Sequence, residues 1–126
     1  MNTVERWTEQ ARYDLETARA MLESGRYLYV VFCCQQAIEK ALKAVIVRKT
    51  GESPPRLHNL LRLAEMAGLA MEPEREEFVG ELSGYYIQTR YPEEIESLGQ
   101  SLNSKTAEET IRRTEEVAQW LFLILK

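Results

Sequence analysis

His58 is the only histidine in the chain and the one side chain suited to moving protons near neutrality. It follows a proline-containing stretch, so its alternative role is to cap or pack the start of a short helix. Tyr85, Tyr86, Arg90 and Tyr91 fall within seven positions, and Tyr86 and Arg90, four apart, share a side if a helix persists that far. Arginine offers a planar fork for phosphate oxygens, and tyrosine can stack on a nucleobase or donate a hydrogen bond. The competing reading has the tyrosines filling the space between helices while Arg90 pairs with a carboxylate. Gln36, Lys40 and Lys43 share one helical face by their spacing. That face, with Gln35 and Glu39 beside it, is either simply solvated or a basic strip for a partner or a bound phosphate.

The elements that must position these groups are helices. Trp7, Ala11, Leu15, Ala18 and Leu22 recur at steps of three or four, which predicts an amphipathic helix over 4–24, and Gly25 follows where a left-handed cap belongs. A central helix is expected over 27–49: Val30, Cys34 and Ile38 keep the helical period where the start could pass for a strand. Pro54-Pro55 forces a loop, and a short helix then runs to Gly68. Pro73 suits the first turn of a helix reaching Tyr86, with Phe78 and Leu82 on one side. Pro92 opens a polar stretch, 92–105, read as a mobile loop. Thr106 to Glu109 has capping-box spacing ahead of a last helix striped by Ile111, Val117, Leu121 and Leu125. Four or five helices with short connections result.

Composition agrees and narrows the function classes. With 126 residues, 44% hydrophobic and 29% charged, the chain is expected to form a single all-α domain over 1–126, and 6 Gly with 4 Pro are too few for a turn-rich β fold. A net charge of −4 supplies no overall attraction for nucleic acid or anionic lipid, so any phosphate contact is local. The start of the chain lacks signal-peptide character and no apolar run could span a membrane, which predicts a cytoplasmic protein without membrane contact. Cys33 and Cys34 are adjacent, and with one histidine and no C-x-x-C there is no basis for a metal site. No cofactor is expected, since phosphate-loop and nucleophile-elbow motifs are lacking too. Trp7, Trp120 and Phe122 read as core or dimer contacts.

Trp7 with Asp14-Leu15 and Ala18, the run Gln35-Gln36-Ala37-Ile38-Glu39-Lys40-Ala41-Leu42-Lys43, His58-Asn59-Leu60 and Arg90-Tyr91-Pro92 together resemble the HEPN domain family over nearly the whole chain. The resemblance implies an up-and-down antiparallel bundle of four to five helices. It further implies a homodimer, a minimal nucleotidyltransferase as partner in a toxin-antitoxin type pair, and nucleotide or RNA as ligand. Many family members are metal-independent ribonucleases, carrying Arg and His four to six residues apart. Here Arg56 precedes His58 with one residue between and Arg48 with nine, so that motif is missing. The chain is closer to the nucleotide-binding branch, with Lys40, Lys43, Tyr86, Arg90 and Tyr91 as phosphate or nucleotide contacts. His58 with Arg90 or Arg56 is the candidate catalytic pair of the alternative, a ribonuclease in which Tyr86 or Tyr91 orients substrate. A structural module used only for dimerisation is a third reading.

Overall fold

The computed structural model describes residues 2–126, and six helices account for nearly all of them: α1 Thr3–Glu23, α2 Tyr27–Thr50, α3 Leu60–Met66, α4 Pro73–Gln88, α5 Pro92–Ser101 and α6 Ser104–Ile124. Asn2 caps α1, its side chain accepting from the Glu5 amide at 2.8 Å. The helix ends at Gly25, whose φ of +75° allows the Arg26 amide to reach back to the Met21 carbonyl at 2.8 Å and the Gly25 amide to the Leu22 carbonyl at 3.1 Å. That tight reversal lays α1 along α2. Ala11 and Ala18 of α1 and Ala37, Ala41 and Ala44 of α2 are all fully buried, and their lack of bulk lets helices approach closely.

Every other helix packs on α2, which explains why it is apolar almost all round. Ile38, Leu42 and Val45 of α2, Leu60 and Leu63 of α3, Leu82 of α4 and Ile111 and Leu121 of α6 form one core. Phe122 is buried in it, and Trp7 and Trp120 are half-buried against it. At one end, Val4 and Glu5 of α1 and Leu125 and Lys126 line a shared cavity of about 450 Å³.

Two expectations are corrected. The stretch 92–105 is mostly helix rather than loop, and the helix count among the described residues rises to six. Pro92 does not break that helix but begins it, because the first helical position needs no amide hydrogen, while Tyr91 ahead of it is extended. Glu93 and Glu94 in the first turn favour the helix dipole, and Leu98 anchors the inner side. The last helix starts at Ser104, two residues earlier than the Thr106 signal. Asn103 and Thr106 form the capping box, each side chain meeting the other's amide at 2.9 Å.

Cys33, Cys34 and Tyr85 are buried acids whose charged forms have little water to solvate them. Burial pushes the Cys33 thiol up to about 11, the Cys34 thiol to about 12 and the Tyr85 phenol to about 12, from ordinary values of 9.0 for cysteine and 10.0 for tyrosine. Between those limits the unfolded chain releases protons that the folded chain retains, so stability falls as pH rises. The melting temperature should hold up to about pH 8 and drop steadily through pH 9–12. A melting series followed by circular dichroism checks this, and a flat profile across that window would refute it.

Candidate functional site

The polar residues of α2 are not a solvated face. Gln35, Glu39 and Lys43, four apart in turn, run along the helix and are 0%, 4% and 5% exposed. Burial on that scale requires partners, and each has one. Lys43 Nζ lies 3.1 Å from Glu39 Oε2, and Gln35 Nε2 donates to Glu39 Oε1 at 3.1 Å. Gln36 Nε2 donates to Gln35 Oε1 at 2.7 Å, and the Lys43 ammonium also faces the Trp7 ring, 5.7 Å from its centroid.

The loop after α2 brings His58 onto this row. Gly51 stops the helix in the left-handed region at φ +72°, and Pro54-Pro55 hold the return extended. Gln35 Nε2 reaches the His58 carbonyl at 3.3 Å, Asn59 caps α3 by accepting from the Arg62 amide at 3.1 Å, and the Leu60 amide donates to Ser83 Oγ of α4 at 2.9 Å. His58 is therefore fixed on both sides. Its Nδ1 stands 3.1 Å from both Glu39 oxygens. An Nδ1 hydrogen donated to that carboxylate leaves Nε2 as the ring's free nitrogen, on a side chain 43% exposed.

The opposite side of the site comes from the end of α4. The His58 ring stacks on Tyr86 with centroids 4.1 Å apart and planes 12° from parallel. Arg90, one helical turn on, places its guanidinium carbon 4.1 Å from the same centroid. His58 and Arg90, distant in sequence, therefore lie against the same ring.

Not every predicted residue joins this cluster. Lys40 turns toward α1, with Nζ 2.8 Å from Asp14 Oδ2 and 3.3 Å from Gln10 Oε1, and Lys43 is bound to Glu39; both cations are matched inside the chain. The basic strip therefore splits in two. Tyr85 belongs to the core, its hydroxyl donating to Glu81 at 3.4 Å, and Tyr91 is exposed at the start of α5. Arg56 is exposed in the loop. Glu39 is the participant the sequence reading did not pair with His58. The signal available for it was the spacing of Gln35, Glu39 and Lys43 within an otherwise apolar helix. Among the described residues no group of three or more His, Cys, Asp or Glu side chains could hold a metal ion, and no helix is long and apolar enough to cross a membrane.

The family described as "HEPN domain" matches residues 4–125. Among solved structures, the chain resembles TT1696 from Thermus thermophilus, with 28% identity and a TM-score of 0.79 over 96% of this chain and 97% of that one. It is similar as well to ST0689, described as an archaeal HEPN homologue, with 27% identity and a TM-score of 0.77 over 100% of both chains. No curated protein matches it.

Proposed function

Since the chain belongs to the HEPN domain family, we propose that it binds nucleotide or RNA phosphate at Arg90, beside His58, and works with a minimal nucleotidyltransferase in a toxin-antitoxin type pair. The observation that carries the ligand half of this reading is the shared Tyr86 ring, which brings an exposed guanidinium and a half-exposed imidazole to one place. Among the described residues Arg90 has no salt-bridge partner, whereas Lys40 and Lys43 each have one. An incoming phosphate therefore displaces no internal carboxylate at Arg90 and must compete with one at either lysine.

Titration calorimetry with adenosine 5′-monophosphate tests this reading. Arg90→Ala should weaken binding roughly ten- to a hundredfold, the worth of one charged hydrogen-bonded contact. Equal binding by parent and variant would remove Arg90 from the site. The partner half is tested by co-expressing the chain with a minimal nucleotidyltransferase and following both on gel filtration; elution as separate species would count against the pairing.

A second reading, metal-independent ribonuclease, is favoured by the bond from His58 Nδ1 to Glu39. A carboxylate there orients the ring and leaves Nε2 to take the proton of a ribose 2′-hydroxyl, while Arg90 steadies charge on the phosphate.

A further inference from the structure

A nucleotide carries a base as well as a phosphate, and Tyr86, the ring whose spacing from Arg90 invited stacking, is already engaged by His58 and Arg90. A cavity of about 250 Å³ lies against Arg90 itself, lined by Leu28, Tyr29 and Phe32 of α2 and by Thr89 and Arg90 at the end of α4. Apart from Arg90, Thr89 and the Tyr29 hydroxyl its lining is hydrocarbon and aromatic. The Thr89 hydroxyl proton is already committed, donated to the Tyr85 carbonyl at 2.7 Å. Tyr29 is 54% exposed, so its ring has open surface to offer an incoming flat group. The volume falls below the roughly 300–1,000 Å³ that encloses a whole drug-sized ligand. It suits one ring system, with sugar and phosphate left outside.

Resting on the nucleotide-binding reading above, we infer that this slot is the base subsite. The base of a nucleotide enters against Tyr29 and Phe32, and its phosphate stays at the mouth with Arg90. The Arg90 charge supplies the electrostatic match that an apolar cavity alone would lack. With the threonine proton already donated and the walls mainly aliphatic and aromatic, the slot offers stacking more than a hydrogen-bond code, so it accepts purine and pyrimidine alike.

The test compares adenosine 5′-monophosphate, uridine 5′-monophosphate, ribose 5-phosphate and a short single-stranded RNA by titration calorimetry. The parent protein should bind both nucleotides more tightly than ribose 5-phosphate. Tyr29→Ala should weaken nucleotide binding about five- to a hundredfold, the range of one base–aromatic stack, without changing ribose 5-phosphate. Tyr29→Phe, which keeps the ring, should bind as the parent does. Arg90→Ala should weaken nucleotide and sugar phosphate together. Dependence on Tyr29 seen only with the RNA would retain the slot and identify its occupant as a base within a chain. Nucleotide and RNA binding both unchanged in Tyr29→Ala overturns the base slot and leaves the phosphate site standing, whatever the ratio of nucleotide to sugar phosphate in the parent. If none of the four binds, the nucleotide reading fails and the slot with it.

Discussion

Replacing Glu39 with alanine should destabilise the protein by about 3–5 kcal/mol, because Lys43 would then be a buried cation with no counter-charge. The same change removes the acceptor of Gln35 and of the His58 ring, leaving several polar groups unsatisfied at once. Urea unfolding, read as a shift in midpoint at constant slope, measures the loss. A loss below about 1 kcal/mol would mean that water reaches Lys43 and that the buried pair contributes little. The double variant Glu39→Leu with Lys43→Met should recover most of the stability, since exchanging both partners for apolar side chains strands no charge. In that background His58 still lacks its carboxylate, which separates the role of Glu39 in holding the fold from its role in orienting the ring.

If the protein cleaves RNA, His58→Ala should lower the rate about 10²–10⁴-fold, the usual worth of a positioned acid or base. Arg90→Ala should produce a loss of about 10²–10³-fold, comparable to removing one donor to developing charge. The assay is run in EDTA with single-stranded RNA, so that neither a bound metal nor a contaminating metal-dependent nuclease contributes. Loss in both variants supports a composite site around Tyr86. Activity surviving in both places the chemistry elsewhere, and an inactive parent leaves binding as the function. His58→Ala also removes the stack on Tyr86, so circular dichroism should accompany the rate.

The long helices were legible because their apolar residues repeat over many turns, and Gly25, Gly51 and Pro54-Pro55 mark chain reversals for reasons of backbone geometry alone. Tyr86 and Arg90 were legible together for a similar reason, since four residues make about one helical turn. α5 was not, because its apolar spacing of Ile95, Leu98 and Leu102 is only about two turns long and its opening proline resembles a stop. The contact between Glu39 and His58 was illegible for another reason. It depends on how the loop from Gly51 to Asn59 folds back over α2, and no local spacing encodes that path. Lys40 shows the same limit, since the carboxylate that claims it, Asp14, lies on α1, whereas the partner of Lys43, Glu39, stands one turn back on the same helix and was within reach of local spacing.

The cavity shared by Val4, Glu5, Leu125 and Lys126 shows that the start of α1 and the end of α6 meet in space, and none of its lining residues belongs to the group around His58. The order in which the helices are strung is thus separable from the way they pack. A short linker from the end of α6 to the start of α1 would preserve that packing while Glu39, His58, Tyr86 and Arg90 kept their neighbours.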